Sequence, residues 1–386
     1  MKITKVECIK RKSIKAKRIY SFVKVYTDEG IYGVGPGGWG PYAIPSNTAG
    51  DQICDALSQQ ISGENPFNIE KISRMTRSPS IELALWDIVG KSSNQPVYNL
   101  LGGKVRDCIP MYQHPPDYMH TPTPKELAED CLKKIREGYK AIKFSPFSVS
   151  AEWCLENKKK LGSSLGASFG FLRNTTQYVG GYSYGGLSLS DHPSLLQKGV
   201  EYVKILRDVI GDAGGIAIDS HGYWNVPSVI KLMKAVEPYD LLWFEDPIDM
   251  WDFHQADILL EVKRQVKTPI CTGEGLDVTG FRMLLELHAL DILHIDIHRC
   301  GGLSRSKNVA SMAESYFKPC VLHYGDPLTI IINAHLAVNM PNIILVEVFD
   351  HSILGGEVLS PPLSSFVENG CLKVPTRQGW GVDVGE

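Results

Sequence analysis

The chain has 386 residues, of which 43% are hydrophobic and 22% charged, and a formal net charge of −3. These proportions exclude a fibrous, disordered or membrane-embedded protein, and the slight acidity offers no basic field for nucleic acid or an anionic membrane. The length allows two domains, or one α/β barrel with additions, and a core that needs neither disulfides nor a structural metal.

In chain order, the first forty residues predict short antiparallel strands. Lys2 to Ile9 and Ser21 to Thr27 are alternating or β-branched, and Asp28-Glu29-Gly30 turns the chain into Ile31-Tyr32-Gly33-Val34. The run 33–38 matches GxGxxG, but Trp39-Gly40-Pro41 cannot begin a helix, so it predicts a glycine-rich turn rather than a phosphate cradle. Trp39 and Tyr42 are candidates to reach substrate from this cap. Residues 81–91, IELALWDIVGK, have helical spacing. Strands followed by helices predict an α+β cap over 1–106.

From residue 107 short apolar runs alternate with amphipathic segments. The runs are Ile109–Gln113, Ala141–Phe144, Ile216–Asp219, Leu241–Glu245, Pro269–Glu274, Ile292–His298, Cys320–His323 and Ile343–Val348. Eight strands separated by helices predict a (β/α)-type barrel over 107–352, with 353–386 returning to the cap. The Gly/Ser/Tyr-rich stretch 162–188 follows the end of a strand and has the composition of a loop that closes over a ligand.

The polar residues at strand ends carry the chemistry. Asp219, Glu245 and Glu274 close three successive runs, so in a barrel three carboxylates converge. Without a cation they would repel one another, and hard oxygen ligands at that density suit Mg2+. The competing reading is that each caps a helix. Asp296 and His323 follow on the next two strands; a carboxylate bonded to an imidazole fixes its tautomer and makes His323 a proton acceptor. His221 lies two residues past Asp219 and shares its face. Lys143 points a cation inward from the second strand, to hold a substrate carboxylate. Glu347 on the eighth strand orients substrate or lies buried near Lys143. His294 is expected to line the barrel and His298 to sit at its rim.

Nine cysteines, an odd number without CxxC or zinc spacing, predict a reduced cytosolic protein. The N-terminal MKITKVECIKRKSIKAKR has no secretory apolar stretch, and no apolar run is long enough to span a membrane.

The segments IELALWDIVGK, LLGGKVRD, WFEDP, TGE, DIHRCGG and GWGVDV, with DSH, FEDP and TGE spaced at 26 and 29 residues, resemble the mandelate racemase branch of the enolase superfamily over nearly the whole chain. The resemblance implies a modified (β/α)7β barrel with an α+β cap made by both termini. It also implies one Mg2+ on Asp219, Glu245 and Glu274, an Asp296–His323 dyad that removes the proton α to a carboxylate, and Lys143 and Glu347 on the enediolate or carboxylate. Racemases of the family carry KxK on the second strand. Here Lys143-Phe144-Ser145 puts a poor base, Ser145, at the second lysine. Asp219-Ser220-His221 instead resembles the galactonate-type sugar acid dehydratases, in which this histidine protonates the leaving hydroxyl. The expected reaction is dehydration of an aldonic-type acid to a 2-keto-3-deoxy acid. The alternatives are a cycloisomerase of a sugar lactone or anhydro-sugar acid, a racemase or epimerase, or an inactive binding barrel. Arg74 to Ser80 and the 162–188 stretch depart from the common family layout. The expected partners are a small acid sugar and further copies of the chain, with neither nucleic acid nor membrane.

Overall fold

The computed structural model describes residues 1–38, 43–115, 123–147, 193–222, 224–250 and 255–385. Trp39, Tyr42 and the 162–188 stretch lie outside the described residues. What is described falls into two compact units, Met1–Tyr112 with Glu274–Thr279 and His294–Glu386, and Gln113–Gly273 with Gly280–Leu293.

The first unit begins with an antiparallel sheet, β1 (Ile3–Ser13), β2 (Arg18–Thr27) and β3 (Tyr32–Pro36), followed by helices α1 (Thr48–Ile61), α2 (Ile69–Thr76) and α3 (Pro79–Ser92). α3 starts where the sequence provides a start: the Ser78 side chain accepts from Ile81 N–H, and Pro79 occupies the first turn. Its apolar residues Ile81, Leu85 and Ile88 bury against Val23 and Val25 of β2. Each contributes roughly 1.5–3 kcal/mol by leaving water.

The glycine-rich run is not the turn expected of it. Gly33 to Pro36 form β3, which is pressed onto α3. A Cβ at Gly33 would lie 2.0 Å from the Ala84 carbonyl oxygen, and one at Gly35 2.1 Å from that of Ser80. These glycines allow a strand and a helix backbone to touch. Gly35→Ala is therefore expected to destabilise the protein by on the order of 2–3 kcal/mol. The loss would be read as a lower urea midpoint, and an unchanged midpoint would show that the contact relaxes without cost.

Buried Asp87 of α3 ties the chain's end to this layer. Its carboxylate accepts from Val34 N–H at 2.9 Å, Trp380 N–H at 2.8 Å and the Lys91 ammonium at 2.7 Å. Trp380, fully buried, donates its indole N–H to the Val34 carbonyl.

Eight parallel strands form the barrel: β4 (Cys108–Gln113), β5 (Ala141–Phe144), β6 (Gly215–Asp219), β7 (Trp243–Glu245), β8 (Ile270–Thr272), β9 (Ile292–Ile295), β10 (Cys320–Leu322) and β11 (Ile343–Val348), with β11 pairing back to β4. Among the described residues a helix follows each strand from β4 to β10, from Pro124–Arg136 to Pro327–Asn339, while β11 is followed only by the six-residue Asp350–Gly355. This is the (β/α)7β pattern. Three strands end earlier than the sequence pattern predicts, β10 by one residue so that His323 lies just past Leu322. β8 stops at Thr272 because Gly273 adopts φ +120°, leaving Glu274 beyond the strand, and β9 stops at Ile295, leaving Asp296 beyond it.

Two short strands, β12 (Leu359–Ser360) and β15 (Asp383–Val384), pair with each other, while β13 (Val367–Glu368) and β14 (Cys371–Lys373) form a hairpin whose β14 pairs antiparallel with β4. This pairing corrects the expectation of nine reduced thiols. It sets Cys371 beside Pro110 and Lys373 beside Cys108, and Cys108 and Cys371 form a disulfide with a Cα–Cα distance of 6.0 Å. Their separation of 263 residues left no local signature. No helix among the described residues is long and apolar enough to cross a membrane.

Candidate active site

In the second unit, strand register gathers one group of the expected residues. β6 and β7 pair Asp219 with Glu245, so both carboxylates leave their strands at the same level. On β5, Lys143 pairs with Ala217, two residues before Asp219. Its ammonium binds Glu245 Oε1 and lies 3.6 Å from Asp219 Oδ2. All three side chains are buried, and burying two carboxylates is tolerable only beside positive charge. Trp243, two residues before Glu245, donates its indole N–H to Glu245 Oε2 at 2.9 Å.

His221 follows from the turn after β6. Its φ of +51° is uncommon for a residue other than glycine. Three bonds hold it: Ser220 N–H to the Glu245 carbonyl, Gly222 N–H to the Asp246 carbonyl, and His221 N–H to Asp219 Oδ1 at 2.9 Å. The ring is thereby folded back, with Nε2 3.3 Å from Asp219 Oδ2, while the side chain stays 34% exposed. An imidazole tethered to an acid and still reached by solvent is suited to donating a proton.

In the first unit, Glu274, Asp296 and His323 come together. Asp296 Oδ1 accepts from the N–H groups of His298 at 2.9 Å and Arg299 at 2.8 Å, and Oδ2 lies 2.7 Å from His323 Nδ1. A carboxylate acceptor at Nδ1 holds a proton there and turns Nε2 to the other side of the ring. That nitrogen lies 3.1 Å from Glu274 Oε2. Burial acts to lower the pKa of His323. The charge of Glu274 and the bonds to Asp296 and Glu274 outweigh it, pushing the imidazole up to about 9. Burial likewise acts to raise Glu274 and Asp296, and for both the His323 partner wins and the pKa falls below the usual carboxylate value. The Asn333 amide fixes the His323 carbonyl at 2.9 Å.

Glu347, 1% exposed, accepts through Oε2 from His294 at 3.1 Å and from Tyr324 N–H at 3.4 Å. His294 also meets Tyr112 Oη at 3.3 Å, and its ring stands edge-on to His323 with centroids 5.0 Å apart. The sequence had placed His298 at the rim, on the same strand face as His294 and Asp296. The structure corrects this. β9 has ended, the chain turns around Asp296 Oδ1, and His298 is 1% exposed beneath Gly38. Arg299 was missed altogether. It is 5% exposed, and its charge helps hold both Asp296 and Glu274 ionised. An arginine in a glycine-bounded turn next to an acid was the only available signal.

Comparison with known proteins identifies the family. Residues 126–386 match the family described as enolase C-terminal domain-like, and residues 9–102 match the mandelate racemase/muconate lactonizing enzyme N-terminal domain. The chain belongs to the mandelate racemase/muconate lactonizing enzyme family of the enolase superfamily. It is 29% identical to a D-xylonate dehydratase of Haloferax volcanii, over 93% of this chain and 82% of that protein. It is 27% identical to a D-galactonate dehydratase family member of Oceanicola granulosus, over 95% and 90% respectively. A solved mandelate racemase/muconate lactonizing enzyme from Jannaschia sp. CCS1 superposes with a TM-score of 0.78 at 27% identity, covering 100% of this chain and 95% of that one. Family membership makes the chain an enzyme, and the relatives' names agree with the lyase expected from the residues.

Proposed function

We propose that this enzyme is a Mg2+-dependent dehydratase of an aldonic-type sugar acid, releasing water to leave a 2-keto-3-deoxy acid. The observation that carries the reading is the imidazole of His323, clamped through Nδ1 by buried Asp296 with Nε2 facing Glu274; a cation on Glu274 would draw off that carboxylate's charge and free Nε2 to take a proton. The names of the xylonate and galactonate relatives support the substrate class.

Asp219, Glu245 and Glu274 would hold the metal. The chemistry of this donor set fits Mg2+: all three offer carboxylate oxygens, and two of them share the buried Lys143 ammonium, a sign that they need a cation nearby. When bound, Mg2+ supplies positive charge for the substrate carboxylate as it gains enediolate character. His323 accepts the C2 proton, and the C2–H electron pair moves toward C1. Asp296 holds the resulting imidazolium without taking its proton. Lys143 adds fixed positive charge where the carboxylate charge grows. His221 protonates the C3 hydroxyl as the C3–O bond breaks, so water leaves and the enol becomes the ketone. Glu347, set by His294, orients the substrate carboxylate end. Trp39 and Tyr42 remain candidates for its distal end.

The two histidines separate in one experiment. His221→Asn is expected to keep exchange of the C2 proton with D2O while dehydration falls by about 10²–10⁴-fold. Full dehydration in that variant would remove His221 as the acid. A screen of sugar acids with Mg2+ for 2-keto products identifies the substrate. Activity on a lactone or anhydro acid alone would replace dehydration by cycloisomerisation.

A further inference from the structure

His298 takes no part in the proposed chemistry, yet it joins three segments of the first unit. Its main-chain N–H donates to Asp296 Oδ1, the carboxylate that holds the base. Its ring Nε2 lies 3.1 Å from Ser80 Oγ in the first turn of α3, and both side chains are buried. The ring also supports Gly38, where the chain leaves β3 with φ +70°. A Cβ there would fall 2.2 Å from Nε2 and 2.4 Å from two ring carbons. Gly38 cannot drift from this contact easily, because its N–H is bonded to the partly buried Asp326, the cap of the helix Pro327–Asn339. Two residues beyond Ser80 on α3, Glu82 receives the N–H groups of Leu303 at 2.9 Å and Ser304 at 3.0 Å. α3 thus grips the 298–304 segment at both ends. Burial lowers the pKa of His298 to about 4, so the ring is neutral and its bond to Ser80 is not an ion pair.

We infer that His298 is a positioning residue for proton abstraction: anchored on Ser80 and Gly38, it fixes the turn whose N–H groups aim Asp296 at His323. The inference rests on His323 acting as the base. Asp296 has two oxygens with separate duties. Oδ1 receives the turn and Oδ2 receives the imidazole, so a rotation of the turn swings Oδ2 away from Nδ1. A displacement of about an ångström in a proton-transfer pair costs on the order of 100-fold in rate. Position 38 requires glycine on this account because any side chain would displace the ring.

The test uses the full-length enzyme loaded with Mg2+ and a substrate from the acid screen. His298→Leu keeps the volume and removes the bond. Its kcat and its C2 exchange rate are expected to fall by ~10- to 100-fold with KM little changed. His298→Gln places an amide within reach of Ser80 Oγ and is expected to restore most of the rate. Ser80→Ala should reproduce the leucine variant, and Gly38→Ala should do the same from the other side. Melting temperatures measured alongside separate positioning from loss of fold. If the leucine and glutamine variants lose stability and activity in the same proportion, His298 is only structural. Wild-type exchange in His298→Leu also overturns the inference. His323→Asn is the control: if it keeps exchange, the base assignment fails, and if it loses exchange while His298→Leu does not, only the positioning role fails.

Discussion

His323→Asn is expected to lower kcat by about 10³-fold, roughly 4 kcal/mol of barrier, and to lower C2–H exchange into D2O by the same factor. Asparagine keeps a donor near Asp296 Oδ2, so the Asp296 side of the dyad loses little. What disappears is the basic nitrogen, now 3.1 Å from Glu274 Oε2 and the one ring position not committed to Asp296. KM should change far less than kcat, because the lost contact forms as the proton moves rather than when substrate binds. The comparison with His221→Asn gives the result its meaning. Loss of exchange in one variant and loss of elimination alone in the other would assign base and acid to the two histidines separately. Exchange at the wild-type rate in His323→Asn would end the base assignment, whatever its effect on dehydration.

The parts of this site that the sequence made legible share a physical cause. A charge at the end of a short, mostly apolar run is conspicuous, so Asp219 after Ile216-Ala217-Ile218 and Glu245 after Leu242-Trp243-Phe244 stand out against their strands. Strand pairing then does the rest, setting those two side by side. Glu274 and Asp296 were legible as residues but not as positions, because the turn at Gly273 and the bonds to Asp296 Oδ1 end the strands early. Contacts between distant segments left no local trace. The Ser80–His298 bond spans 218 residues and the Cys108–Cys371 bridge 263. Gly33 and Gly35 misled for a related reason. Their pattern suggests a turn, whereas the real requirement is a helix carbonyl about 2 Å from where each Cβ would be. Periodicity reports which face of an element is buried, but not what will be packed against it.

Removing divalent metal is expected to abolish turnover, and Mg2+ should restore it. The Lys143 ammonium lies against both Asp219 and Glu245. Two buried carboxylates set side by side are the hard oxygen donors that a divalent cation takes. Mg2+ binding should therefore raise the melting temperature of the EDTA-treated enzyme without any substrate present. At one hundred times its dissociation constant, a ligand of the folded state adds about 2.7 kcal/mol. Glu245→Gln keeps the shape and an acceptor for the Trp243 indole N–H, but removes the charge. In that variant Lys143 keeps Asp219 at 3.6 Å as its remaining partner of the two. The site then has one negative charge fewer, so the Mg2+-dependent stabilisation should shrink severely and activity should fall with it. The thermal shift is the decisive readout because it does not depend on knowing the substrate. An EDTA-treated enzyme that shows no response to Mg2+, and a Glu245→Gln variant indistinguishable from it, would remove the metal from the mechanism. A Mg2+ response of equal size in both proteins would keep the metal and take Glu245 out of its ligand set.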